Sequence, residues 1–524
     1  MKTSRHQKRV QRNRQYERRQ RKIARRRRRI ARRLQPRIWS AQPRPMYTAS
    51  NIQYEHSDRV RGLESGGIGA MHRLAQQTGL RDAIDRHVEV LKVHLPYHES
   101  DHVLGIAYNV FCGGTCLQDI EQRRQDEVYL DALGAQRIPD PTTAGDFCRR
   151  FDEATIDALQ TAINETRARV WRAQPPGFFD EAVIDADGTL AETTGQCKEG
   201  MDIAYNGVWG YHPLVVSLAN TQEPLYLINR SGNRPSAEGA AERFDQAAAL
   251  CRAAGFRRIT FRGDTDFTQT RQLDRWDAAG VRFVFGYDAR ANLIGAADAL
   301  PLRAWRRLVR RPPYEVQTEP RERPMNVKAA RIVERDFKNL RLEAEAVAEF
   351  PYQPDACRKP YRMVVVRKNI SVEQGDQRLF DEIRYFFYLT NDQETPAAEL
   401  VFLANDRCNQ ENLIDQLKRV GATRMPVDTL LSNWAYMVMA GLAWTLKAWF
   451  ALRLPETGRW AAQYGADKRA VLRMEFKAFL HAFVLIPVQV VRTSRRLIFR
   501  LLAWNPWQAV FLRGFDHVRQ PLRC

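Results

Sequence analysis

Residues 182–188, AVIDADG, and residues 257–264, RRITFRGD, are two short apolar runs that each end on an aspartate, and the elements around them decide the fold. Between them stand HPLVVSLA at 212–219 and PLYLINRS at 224–231, two further strand-like runs separated by a turn at Gln222-Glu223-Pro224. Residues 237–254, AEGAAERFDQAAALCRAA, carry a helical pattern closed by Gly255, the residue that best tolerates the left-handed backbone of a helix end. After the second aspartate run, residues 268–279 read as a helix ending at Gly280, and VRFVFGYD at 281–288 as another strand. The order is three strands, helix, strand, helix, strand, an α/β sheet whose first three strands are antiparallel.

That order is the order of the ribonuclease H-like fold, in which the first and fourth strands lie side by side. Their ends would then bring Asp187 and Asp264 together. Two carboxylates at short range repel unless a cation neutralises them, and hard oxygens with open water positions suit Mg2+ or Mn2+. A pair of such ions can activate a hydroxyl and stabilise the leaving oxygen of a phosphodiester. Either acid alone reads equally as a loop or helix cap. Asp185 and Asp266 each stand two residues from these positions, and residues two apart on a strand point to the same side. The pleat therefore does not choose between them; the neighbours read as supporting or alternative acids.

Outward from this core, residues 300–390 turn β-rich: YEVQTE, AARIVERDF, LRLEAEAVAEF, YRMVVVRKNI and EIRYFFYLTN read as an inserted sheet domain. A helix from about Asn409 to Val420 follows, then apolar helices over 434–452 and 476–491. The longest apolar run, 478–491, is broken by His481, Pro487 and Gln489. It is shorter than the ~20 residues that span a bilayer, and reads as a buried helix with no membrane role. The basic, aromatic stretch TSRRLIFRLLAWNPWQAVFLRGF closes the chain. Upstream, residues 58–175 read as helical, with Asp140-Pro141-Thr142-Thr143 opening one helix through an acidic cap and a proline in the first turn.

Charge is concentrated at one end. The chain of 524 residues carries a net +21, yet residues 1–38 hold 18 Lys and Arg against Glu17 alone, so +17 sits in that tail. Such a tail repels itself and is expected to be disordered until it meets an anion; nucleic-acid phosphates are its natural partner. The eight cysteines form no CxxC pair, which excludes a zinc ribbon and points to reduced thiols. The Arg-rich N-terminus lacks the apolar core of a signal peptide. His94, His98 and His102 fall four apart, but Pro96 interrupts the first interval; they read as surface or core side chains.

The third candidate acid sits in NDRCNQENLIDQLKRV, where Arg407, Glu411 and Lys418 are spaced by four and seven residues. On a helix Glu411 lies ~40° from Arg407 and Lys418 ~20° from Glu411, so all three share one face. Alone, that stripe reads as a solvated salt-bridge ladder, or as a metal ligand bracketed by phosphate-gripping cations. DADGT, YHPLVVSLANTQEPLYLINRSGNRPS, GDTDF and Arg407-x3-Glu411-x6-Lys418 together resemble the DDE transposases of bacterial insertion sequences. The resemblance is to insertion-sequence family thirteen-eighty of the superfamily named for insertion sequence four, over roughly residues 60–450. It implies a ribonuclease H-like core, Mg2+ dependence and cut-and-paste transposition through terminal inverted repeats. The first acid of the pattern precedes a small residue and Thr, matching Asp187-Gly188-Thr189; the second matches Asp264 and the glutamate Glu411. The superfamily signature has a Tyr three residues before the Arg, and Ala404 stands there instead. Related enzymes use the β insertion to stabilise a hairpin or flipped base at the transposon tip. Trp305 would be the stacking residue, though an ordinary packed Trp is the simpler reading.

The resulting expectation is a transposase with Asp187, Asp264 and Glu411 as catalytic residues holding two Mg2+ (or Mn2+) ions, and Arg407 and Lys418 on DNA. Six segments are expected: a disordered basic arm (1–38), a helical DNA-binding region (58–175), a ribonuclease H-like core in two parts (180–290 and 396–455), a β-rich insertion (291–395) and a helical basic C-terminal region (456–524). Its partners would be double-stranded DNA, as transposon ends and target, and a second copy in a synaptic homodimer; its place would be the cytoplasm, on the nucleoid. The rival readings are a ribonuclease H-like nuclease that cuts without joining, and a non-enzymatic basic nucleic-acid-binding protein.

Overall fold

The computed structural model describes residues 5–34, 49–54, 60–195, 197–310, 338–374, 377–493 and 496–520. They form two compact units, one of Pro175–Leu190 with Asp202–Ile414, the other of Met1–Gln174, Ala191–Met201 and Asp415–Cys524.

The first unit is built on a nine-stranded mixed sheet. Its strands in chain order are β1 (Glu181–Gly188), β2 (Leu214–Leu218), β3 (Glu223–Ile228), β4 (Arg258–Gly263), β5 (Val281–Tyr287), β6 (Arg306–Arg307), β7 (Lys338–Tyr352), β8 (Tyr361–Gln374) and β9 (Gln377–Thr390). Across the sheet they run β6-β7-β8-β9-β5-β4-β1-β2-β3. β1, β4 and β5 are mutually parallel, while β2 lies antiparallel to β1 and β3 antiparallel to β2. The expected order of three antiparallel strands, then helix, strand, helix, strand is present. The central strands are buried on both faces, which suits their continuous apolar runs: Ile259, Phe261, Phe283 and Val284 are all at most 2% exposed.

Helices α1 (Ala240–Ala254) and α2 (Thr270–Ala278) cover one region of this sheet through an aromatic cluster. Phe244 of α1 meets Phe261 of β4 at 4.6 Å between centroids, and Trp276 of α2 meets the same ring edge-on at 5.1 Å. The Trp276 indole donates to Asp245 Oδ1 at 2.8 Å, so its one polar atom is satisfied. α1 ends at Gly255 with φ +108°, the left-handed cap its sequence announced.

The later strands do not form a separate sheet. β9 pairs antiparallel with β5, from Phe387 opposite Tyr287 to Thr390 opposite Val284, so β7–β9 extend the same sheet. The reason is the edge of β5: left open, its N–H and C=O groups would lack partners. The expected strands at 314–319 and 329–337 lie outside the described residues. Helix α3 (Ala397–Asn405) packs on this extension, with Leu400, Val401 and Ala404 against Val284, Val347, Val364 and Val366. Helix α4 (Cys408–Arg419) follows at once.

In the second unit, helices at Ile68–Thr78, Glu99–Phe111 and Glu153–Arg172 surround the apolar helix Leu430–Leu452. That helix is long and apolar enough to cross a membrane by length and composition, but its apolar window is wholly buried. The helix Pro141–Cys148 opens as its sequence suggests, with Asp140 accepting from Thr143 N at 3.0 Å.

Two expectations are corrected here. Within the basic tail, Arg5–Leu34 is one helix and not irregular; the rest of residues 1–38 lies outside the described residues. Arg, Lys and Gln are good helix formers, no Gly or Pro interrupts them, and the helix is tied down by an Arg19–Asp516 ion pair and an Arg26 bond to Ala503 O at 3.2 Å. Nor is 478–491 helical throughout, or the C-terminal region all-helical. The helical turns end at Val484, and Val488–Thr493 pairs with Arg496–Leu501 as a β-hairpin. Pro487 removes a helix donor, and the β-branched residues after it favour a strand.

Candidate catalytic site

The parallel register of β1 and β4 places Asp185 opposite Arg262. Two residues further on, at the ends of the two strands, stand Asp187 and Asp264, so neighbouring strands deliver their acids to the same place. A tight turn holds Asp264: Asp266 N donates to its Oδ1 at 3.0 Å and Phe267 N to its carbonyl at 3.2 Å. Gly286 on β5 makes room for that turn, since a Cβ there would lie 3.0 Å from Thr265 N and 3.2 Å from the Asp264 carbonyl carbon.

Glu411 arrives on the first turn of α4. The three acids meet around one guanidinium. Arg407 lies 3.4 Å from Asp187, 3.8 Å from Asp264 and 3.9 Å from Glu411. What anchors α4 is a residue sequence reasoning passed over. Gln410 is 2% exposed, donates to Val215 O of β2 at 3.0 Å and accepts from the Ser217 hydroxyl. The signal was present: position 410 shares the apolar stripe of Leu413, Ile414 and Leu417, where a polar residue must find a buried partner.

The neighbouring acids separate by environment. Asp185 is 1% exposed and accepts two 2.7 Å bonds from Arg262, whose remaining Nη1 donates to Leu403 O at 2.7 Å. Its oxygens are thus spent on a buried fork-like pair that clamps β1 to β4 and α3 to both. Asp266 is exposed, and its backbone N–H serves Asp264. Lys418 is exposed further along the helix, within the other unit. Ala404 is buried in the cluster beneath α3. Trp305 is half-buried, with the Arg367 guanidinium 4.5 Å above its ring.

His212 is a second residue the sequence reading left aside. It is 4% exposed, its Nδ1 bonds Arg234 O at 2.9 Å, and a Cβ on Gly188 would lie 2.8 Å from its Nε2. The glycine after Asp187 is what lets the imidazole sit against the strand end. Burial lowers the His212 pKa, with Arg230 acting in the same direction.

Burial and mutual repulsion dominate the electrostatics. The Asp187 pKa is raised to about 7, first by burial and then by Asp264, against the pull of Arg407. Asp264 is raised too, again chiefly by burial. One arginine does not neutralise three acids, and the site retains a net demand for positive charge. Three carboxylates that converge on one arginine are hard oxygen donors of the kind a divalent cation takes.

The family model described as "Transposase DDE domain group 1" matches residues 63–522, and the chain belongs to that family. It is a DNA transposase, an enzyme of a family that uses divalent metal ions to cleave DNA and transfer the cut strand. Among solved structures, the chain is similar to that described as "Cryo-EM structure of piggyBac transposase synaptic complex with hairpin DNA", with 9% identity, a TM-score of 0.36, and 80% of this chain and 82% of that one covered. No curated protein matches the chain.

Proposed function

We propose that Asp187, Asp264 and Glu411 are the catalytic metal ligands of a ribonuclease H-like transposase core, taking two Mg2+ (or Mn2+) ions. The observation that carries this reading is the meeting of the three carboxylates around Arg407, each within 4 Å of it. The strand order β3-β2-β1-β4-β5 with its directions supports the ribonuclease H-like assignment. The buried pair Asp185–Arg262 supports Asp187 as the first ligand, because both Asp185 oxygens are already engaged by the guanidinium. When bound, the ions activate the attacking hydroxyl and stabilise the leaving oxygen.

Around them, the chain's residues have separate tasks. Gln410 and the Asp185–Arg262 pair hold the acid-bearing elements in place. Arg407 and Lys418 each contact DNA phosphates. The basic helix Arg5–Leu34, the helices within 58–175 and the C-terminal basic segment bind transposon ends chiefly through phosphates. Joining two ends calls for a synaptic homodimer. The motif pattern supports a place in insertion-sequence family thirteen-eighty.

The test is cleavage and strand transfer on a duplex carrying a transposon end. Asp187→Ala, Asp264→Ala and Glu411→Ala should each abolish both reactions while leaving end binding intact. Undiminished cleavage by any one removes that residue from the site.

A further inference from the structure

Away from the acids just described, the second unit gathers another set of metal-binding side chains. Helices Leu80–His87 and Glu99–Phe111 are joined by an irregular segment at 88–98. Glu99, at the start of the second helix, is 2% exposed. Its Oε1 accepts from Leu91 N at 3.1 Å and Val90 N at 3.3 Å, and its Oε2 meets His94 Nε2 at 3.0 Å. The His98 ring lies parallel to that of His94, 4.5 Å between centroids. One ligand atom from each of His94, His98 and Glu99 falls within 4.8 Å of the others. His102, the third histidine of the sequence pattern, is not among them: it is buried and stacked on Phe147 at 4.2 Å.

We infer that His94, His98 and Glu99 form a zinc site that fastens the 88–98 segment to the helix behind it. Two imidazoles and one carboxylate are a donor set Zn2+ takes in tetrahedral geometry, with a fourth position for water. A buried carboxylate is costly unless it is paired, and here backbone N–H groups hold one oxygen and leave the other at the imidazole. That is how supporting bonds orient a metal-binding carboxylate. The two imidazoles are exposed, so the ion has a route in from solvent. Tetrahedral Zn–N and Zn–O bonds of ~2.0–2.2 Å put donor atoms ~3.3–3.6 Å apart, and the three ligand atoms lie within 4.8 Å of one another. The segment so fastened carries Val93 and Leu95, 63% and 84% exposed.

The experiment uses full-length protein stripped with a chelator, with exposed Cys197 and Cys408 alkylated and Asp187→Ala/Asp264→Ala substituted to remove the acids of the first unit. Zn2+ affinity is read by competition with a chromophoric chelator, and Co2+ is added as a spectroscopic probe. One Zn2+ per chain should bind, Co2+ should give a tetrahedral d–d spectrum, and hydrogen exchange at 90–98 should slow on binding. His94→Ala should weaken binding at least ~10-fold and abolish the spectrum. So should His98→Asn, which keeps a helix-capping side chain. Absence of Zn2+ binding, or an affinity in either histidine variant equal to that of the parent, overturns the site. Binding without slowed exchange at 90–98 overturns its fastening role.

Discussion

Replacing Asp187 with Asn should stabilise the metal-free protein, and more at high pH than at low. In the fold this carboxyl is 15% exposed, and burial together with Asp264 raises its pKa from the ordinary 3.8 to about 7. The folded state therefore holds the proton more tightly than the unfolded chain does. Below about pH 4 the group is protonated in both states and its ionisation costs nothing; the cost accumulates as the pH rises and is complete above about pH 7. At about 1.36 kcal/mol per pH unit, the gap between the two pKa values gives about 1.7 kcal/mol at pH 5 and about 4 kcal/mol at pH 8.5. Asparagine keeps the shape without the charge, so the variant's advantage over the parent should widen by about 2–3 kcal/mol across that interval. Urea denaturation in chelator buffer, followed by circular dichroism and tryptophan fluorescence, measures it. Added Mg2+ should shrink the difference by stabilising the parent alone. A difference that stays flat, or falls with rising pH, would refute the claim that burial, with Asp264 beside it, raises the Asp187 pKa in the folded state.

Other consequences are as concrete. Arg262→Ala should destabilise the protein by about 3–5 kcal/mol, because it strands a buried Asp185 carboxylate; Asp185→Leu/Arg262→Met should recover most of that stability, as read by the same denaturation. Gln410→Leu removes two buried hydrogen bonds from α4 and should cost about 1–3 kcal/mol, with cleavage slowed more than end binding is weakened in a gel-shift assay. Deleting residues 1–38 should lower affinity for DNA of any sequence and flatten its dependence on salt concentration, because fewer counterions are released; an unchanged slope in a fluorescence titration would take the basic helix off the DNA.

The strand order was legible because each central strand is a β-branched or aromatic run stopped by an acid or a glycine, as in AVIDADG and RRITFRGD. The acids themselves were legible as strand ends and as a helix stripe. Which of Asp185 and Asp187 faces the shared space was not, because the answer lies on another strand: the parallel register sets Arg262 opposite Asp185, and no local pattern records it. Gln410 was hidden for a similar reason, its partners Val215 and Ser217 lying almost 200 positions earlier. The basic tail was misread by weighing charge repulsion alone, without the helix propensity of an uninterrupted run of Arg, Lys and Gln. At Pro487 the apolar count suggested a helix, while the alternation that follows, QVVRT, already belonged to a strand.

The joined sheet also bears on solubility. A strand with an unpaired flank is a template for a neighbouring molecule. β5 would present one at the middle of the chain were β9 not laid along it. Among the described residues, β7–β9 carry that margin outward to β6, two residues long and both arginine, a short and charged template for another chain. The opposite margin is β3, and it carries Pro224, a residue with no N–H to offer and one that sheets tolerate at their borders. Pro224 is buried there as well, so that margin is closed by packing in addition to its missing donor.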